Sequence, residues 1–224
     1  MAKIRIVTDS TADIPPGMLE EVTIVPLKVH FGEKTYLDGI TIQAEEFYEQ
    51  LAKAKALPTT SQPSPQEFVN AYRQVKEEAG EEVQILSFHL SSALSGTFQS
   101  AKLAQDMLSE EIDITVIDTK KASYGIGMLV AEVQEAVKSG KSKEECIALA
   151  EQMSVNIGTF FMVDTLEYLQ KGGRIGRASA LLGSLLNIKP ILGLNEQGEV
   201  YPLDKVRGSK KALKRIIQAI HEFS

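Results

Sequence analysis

The sequence predicts the α/β class: a mainly parallel sheet flanked by helices, followed by a second, smaller α/β unit. Strand-forming and helix-forming segments alternate along most of the chain, as they do where helices cover the faces of a parallel sheet. Two capping boxes, Ser64-Pro65-Gln66-Glu67 and Ser142-Lys143-Glu144-Glu145, mark helix starts, because each serine and its glutamate satisfy one another's unpaired amides. Beyond residue 153 the texture turns to short strands and a glycine-rich loop. A boundary is therefore expected near 153, giving units 1–153 and 154–224.

In chain order, Ile4-Arg5-Ile6-Val7 reads as a strand entering a polar turn, Thr8-Asp9-Ser10-Thr11-Ala12-Asp13-Ile14-Pro15. Leu57 to Pro65 reads as a hydroxyl-rich loop without regular structure, since Pro58, Pro63 and Pro65 remove backbone donors and keep it extended. That leaves the Thr60 and Ser61 hydroxyls free to point inward. A helix follows from Pro65 to about Ala79, before Gly80. Strand Val83 to Leu90, helix Thr97 to Leu108, strand Ile112 to Asp118 and helix Gly127 to Lys138 then form a βαβα unit. The second capping box opens a helix to about Ser154. After it come a strand around Gly158 to Asp164, a basic glycine-bent loop, an apolar helix near Ala178 to Leu186, and a hairpin at Asn195-Glu196-Gln197-Gly198. Neither an internal repeat nor a low-complexity tract interrupts this order.

Bulk properties bound the function without choosing it. A chain of 224 residues with 43% hydrophobic content supports a proper core. A net charge of -6 argues against a nucleic-acid partner, whose phosphates call for basic patches. The single cysteine, Cys146, forms no internal disulfide and reads as a buried structural thiol. An acid as early as Asp9 does not fit a signal peptide, and no stretch approaches the roughly 18 apolar residues of a membrane span, so a cytoplasmic location is expected.

Several tempting motifs fail on context. Gly140-Lys141-Ser142 resembles the end of a phosphate-binding loop, but Glu135 stands where the upstream glycine is needed and the triplet follows a helix. Gly172-Gly173-x-x-Gly176 lacks the strand context of a dinucleotide fingerprint. No nucleophile elbow surrounds Ser92 or Ser95, and His89, inside a strand, reads as a structural histidine. Asp9 and Asp13 have no histidine or cysteine at ligand spacing and read as turn and cap residues, so no metal or cofactor is expected.

The most informative stretch is Ser87-Phe88-His89-Leu90-Ser91-Ser92-Ala93-Leu94-Ser95-Gly96-Thr97-Phe98, which delivers a strand into a hydroxyl-lined turn and then a helix. Ser91, Ser92, Ser95 and Gly96 sit where the helix leaves its first amides unpaired, a place suited to an anion. The plainer alternative is that Ser95 or Thr97 only caps the helix. Together with the T-D-S-T turn, Pro58-Thr59-Thr60-Ser61-Gln62-Pro63 and the Gly173-Arg174-Ile175 loop, this turn makes the chain resemble the DegV family, whose members include the fatty-acid-binding subunits of bacterial fatty acid kinase.

The resemblance implies a lipid-binding protein, not an enzyme, that holds a long-chain fatty acid and presents its carboxylate to a separate ATP-dependent kinase, which makes the acyl phosphate. It implies Thr60 and Ser92 or Ser95 at the carboxylate, with Ser61 and Gly96 beside them, and Arg174 at the kinase. The alternative reading is an enzyme using Ser95 or Asp9 on a small phosphorylated or keto substrate. Family members normally continue with a further strand, helix and H-x-G-P-G segment. The sequence reaches Ser224 without one, and His30, His89 and His221 do not match it. The expectation drawn from this is an incomplete second unit with an open sheet edge or cavity.

Overall fold

A computed structural model describes residues 3–15, 17–183 and 188–223. Its principal sheet is parallel, with strands β1 (Ile4–Asp9), β2 (Val22–Val25), β6 (Gln84–His89) and β7 (Asp113–Asp118) in the order β2-β1-β6-β7. Between β2 and β6 the chain forms a small antiparallel sheet, β4-β3-β5, from β3 (Lys28–Phe31), β4 (Lys34–Leu37) and β5 (Thr59–Ser61), with helix α1 (Ala44–Lys53) inserted before β5.

Both faces of the parallel sheet are covered, which is why its strands read as continuous apolar runs. Alternate residues point to opposite faces. Val7 and Ile85 meet α2 (Pro65–Ala79) and α3 (Thr97–Met107) through Phe68, Tyr72, Val75, Ala101 and Ala104. Ile6, Leu86 and Phe88 meet α4 (Tyr124–Lys138) and α5 (Lys143–Asn156) through Ile126, Leu129, Val130, Val133 and Cys146. Cys146 is fully buried, and burial pushes its thiol above the ordinary value. Both capping boxes form: Ser64 accepts from Glu67 N and Ser142 from Glu145 N, with each glutamate returning a bond to its serine's amide.

The remainder carries a second antiparallel sheet, β10-β9-β8, from β8 (Phe160–Met162), β9 (Lys189–Leu194) and β10 (Val200–Val206), with helices α6 (Glu167–Lys171) and α7 (Ser209–Phe223). Leu166, Ala178, Leu192 and Val200 form its core. Residue 153 lies within α5, and the sheet begins at Phe160.

Two expectations are corrected. The segment Leu57 to Pro65 is not wholly irregular: Thr59–Ser61 pairs with Lys28–His30 as an edge strand, which the prolines allow because they flank it. In place of an apolar helix near Ala178 to Leu186, residues Gly176–Leu181 form a 3-10 turn, and 184–186 lie outside the described residues.

Phe68 joins the core to the site below. It is fully buried, 5.9 Å from the ring of Tyr72 and edge-on to His89 at 4.9 Å. Phe68→Ala should destabilise the protein by about 3–5 kcal/mol through lost burial and the cavity left behind. Urea unfolding checks this; a cost below about 1 kcal/mol would contradict the packing.

Candidate functional site

The C-terminal ends of β1, β6 and β7 lie together. The chain leaves β1 for β2 on one side and returns to β6 on the other, so the gap between β1 and β6 is a topological switch point, where α/β sheets place ligands. At that gap lies a buried polar chain. Tyr72 OH donates to Ser87 Oγ over 2.9 Å, Ser87 Oγ lies 2.7 Å from His89 Nε2, and His89 Nδ1 lies 2.9 Å from Asp9 Oδ2. An ionised carboxylate only accepts, so Nδ1 carries the proton toward Asp9 and Nε2 accepts from Ser87.

Asp9 collects four donors: Thr11 N (3.0 Å), Thr11 Oγ1 (2.5 Å), His89 Nδ1 and Leu90 N (3.1 Å). Burial on its own would raise its carboxyl, but the hydrogen bond and electrostatic attraction from His89, with Thr11 and Leu90, outweigh it and hold the group below the ordinary value. Burial pushes the Tyr72 hydroxyl far up, against a smaller opposing effect from Ser87. Asp38, on the same rim, is raised by burial and by Asp13 and Asp9, with Ser10 opposing. Asp–His–Ser in this bonding order resembles a hydrolytic triad, yet Asp9, Ser87 and His89 are all 0% exposed, so in this form none of them meets a substrate.

The turn after β6 is pinned in several directions. Ser92 Oγ donates to Asp118 Oδ2 over 2.5 Å and Ser92 N to Asp118 Oδ1 over 3.2 Å. Ser91 Oγ donates to Gly198 O over 2.9 Å, at the expected β9–β10 hairpin, where Gly198 has φ +75 and leaves no room for a side chain against Ser91. Ser95 Oγ lies 2.9 Å from Thr97 Oγ1 and accepts from Thr97 N over 3.3 Å, a local turn ahead of α3, whose N-cap is Gly96 without a side-chain cap bond, so neither Ser95 nor Thr97 is the capping residue. The strap of residues 59–63 folds over this turn: Gln62 Nε2 lies 2.7 Å from where a Cβ on Gly96 would sit. Ser61 Oγ points elsewhere, to His30 Nε2 at 3.0 Å, while Thr60 is exposed.

Arg174 reaches the same turn from the loop that follows α6. Its Nε donates to Leu94 O over 3.0 Å and its Nη1 to Gly172 O over 2.5 Å. The neighbouring cations also have partners, Lys171 with Glu167 and Arg177 with Glu199. Leu94 packs against both the cluster under α4 and α5 and the cluster of Leu166, Ala178, Leu192 and Val200. The structure thus brings Ser92, Ser95, Gly96, Arg174 and the strap together and turns Ser61 away. Sequence reading passed over Gln62, Asp118 and Leu94. Placing Gln62 between two prolines, one residue after a hydroxyl pair, was the available signal. Surface recesses of about 450 Å³ by Glu110 and Asp113, and about 410 Å³ by Phe31 and Lys55, share no residue with this turn. Among the described residues no group of three acidic, histidine or cysteine side chains is placed to hold a metal, and no helix is long and apolar enough to cross a membrane.

A family model described as "Uncharacterised protein, DegV family" matches residues 3–224. The chain belongs to the DegV family. A DegV domain-containing protein of Deinococcus radiodurans is 43% identical over 222 residues, which cover 98% of this chain and 77% of that one. A solved DegV family protein of Thermus thermophilus, described by its fatty acid binding, is 42% identical with TM-score 0.91, over 99% of this chain and 78% of that one. DegV of Bacillus subtilis, described as a fatty acid binding protein, is 38% identical with TM-score 0.89 over the same shares. In this DegV chain, as the resemblance implied, the fold is an α/β sheet flanked by helices.

Because Asp9 is held low by its folded environment, its contribution to stability is present above the ordinary carboxylate value of 3.8 and is lost as pH falls through its lower folded value. Asp9→Ala, which strands His89 and Leu90 N, should cost about 3–5 kcal/mol at pH 7. The gap in melting temperature between wild type and Asp9→Asn should narrow below pH 3.8; a constant gap down to pH 2 would contradict the assignment.

Proposed function

We propose that this protein is a lipid-binding protein that holds a long-chain fatty acid with its carboxylate between the strap and the Ser91 to Gly96 turn, and presents that carboxylate to a separate ATP-dependent kinase. The observation that carries the reading is the strap of residues 59–63 seated on the turn at Gly96, in a chain of a family whose solved relatives are described as binding fatty acids. Thr60 Oγ1 has no hydrogen-bond partner among the described residues and is free to donate. In this reading Ser95, Gly96 and the first amides of α3 take the other side of the head group, and Ser61 and Ser92 support the walls through their bonds to His30 and Asp118. Burying the acyl chain supplies most of the affinity, at roughly 0.8 kcal/mol per methylene, so the head group needs only to be paired, not held tightly.

The chain is a binding subunit in this reading, without cofactor, and the phosphoryl transfer happens in the kinase. Arg174, exposed at the mouth of the turn, meets that partner in the cytoplasm. The alternative, an enzyme using Ser95 or Asp9, is weakened by the saturated, fully buried state of Asp9 and by Ser95 serving Thr97.

Native mass spectrometry of the purified protein should find a co-purified fatty acid mass; a bare protein that also fails to take up added fatty acid would refute the reading. Thr60→Val should weaken fatty acid affinity by roughly 1.5–3 kcal/mol, the value of a hydrogen bond to a charged group. Arg174→Ala should keep fatty acid affinity within a few-fold but slow acyl-phosphate formation once kinase and ATP are added, most at low salt. Normal phosphorylation by that variant would remove Arg174 from the docking surface.

A further inference from the structure

We infer that Gln62 is a head-group donor and the residue that tells an acid from a neutral head group, an inference that rests on the fatty-acid reading above. Gly96 points to it. Its φ of -75 is one that any residue adopts, so glycine is not required there by conformation. What marks the position is contact: a Cβ would lie 2.7 Å from Gln62 Nε2 and 3.1 Å from Cδ, so a larger residue would push that flexible carboxamide aside. The carboxamide therefore rests directly on the start of α3.

The polar groups around it are already committed. Ser61 bonds His30, Ser91 bonds Gly198 O, Ser92 bonds Asp118, Ser95 bonds Thr97 and Arg174 bonds two carbonyls. The Gln62 carboxamide makes no hydrogen bond among the described residues. Pro63 holds residue 62 extended, so Gln62, two residues beyond Thr60, lies on the same side of the strap, opposite Ser61. Thr60 and Gln62 are thus two side-chain donors on one side of the strap without a partner among the described residues, and Gln62 reaches the turn at Gly96. An amide N–H₂ offers two hydrogens to carboxylate oxygens without adding charge. A glutamate at the same place would offer none at neutral pH and would repel the carboxylate, while an alcohol head group could still donate to it.

The test measures the affinities of delipidated protein for a long-chain fatty acid and for the alcohol of equal chain length, in wild type, Gln62→Ala and Gln62→Glu. Gln62→Ala should lower the acid-to-alcohol ratio about tenfold, and Gln62→Glu more, since the lost bond is to a charged acceptor. Gly96→Ala, which displaces the carboxamide, should lower the ratio similarly, and should add little in a Gln62→Ala background. A wild type that binds the acid, with the ratio unchanged in both Gln62 variants, overturns the role of Gln62 alone. A wild type that binds neither ligand overturns the fatty-acid reading and this inference with it.

Discussion

The carboxylate of Asp9 is the constraint on which the site depends. Buried without partners it would be forced to take up a proton, because an isolated charge in the interior is too costly. Its four donors come from three places in the chain: Thr11 in its own turn, His89 at the end of β6, and Leu90 N at the first residue of the turn that follows. Satisfying one buried charge therefore sets the ends of β1 and β6 side by side and starts the Ser91 to Gly96 turn in a defined direction. Tyr72 and Ser87 extend that order into α2. Asp118 repeats the device at the end of β7, where it takes both the amide and the hydroxyl of Ser92 and also Lys120 N at 3.0 Å.

With its base held by carboxylates, the turn serves as the junction of everything above it. The strap arrives from the small antiparallel sheet and lies on Gly96; the β9–β10 hairpin arrives from the sheet β10-β9-β8 and lies on Ser91; Arg174 arrives from its loop and takes Leu94 O. Only one of these approaches needs glycine. Gly198 combines positive φ with backbone contact, whereas Gly96 has ordinary dihedrals and meets only the movable end of Gln62.

Much of this architecture was legible because it is local. The capping boxes at Ser64 and Ser142, the apolar strand Val83 to Leu90 and the turn at Asn195 to Gly198 depend on neighbours in sequence, and they form where expected. What escaped depends on distant partners. Thr59–Ser61 becomes a strand only because Lys28–His30 lies beside it, and nothing in a proline-flanked run of hydroxyls announces that edge. His89 read as structural and is so, but its pairing with Asp9 spans 80 residues. Hydroxyls announce a polar turn without saying who takes them: Ser92 and Ser61 looked as available as Thr60, and Asp118 and His30 had already engaged them.

The pattern of commitment bears on the proposed chemistry. A carboxylate that must attack a phosphoryl group keeps its nucleophilicity best when neutral donors hold it, because a direct ion pair would draw its charge toward the cation. Among the described residues, the strap's unpartnered side-chain donors are a hydroxyl and an amide, Thr60 and Gln62, while the nearby guanidinium is spent on Leu94 O and Gly172 O. Those bonds are to neutral carbonyls and stand exposed, so an incoming phosphate, which pairs with a guanidinium more strongly than a carbonyl does, can replace them. On this reading Arg174 is held at the mouth of the site, kept off the fatty acid, and released toward the phosphoryl donor when the kinase arrives.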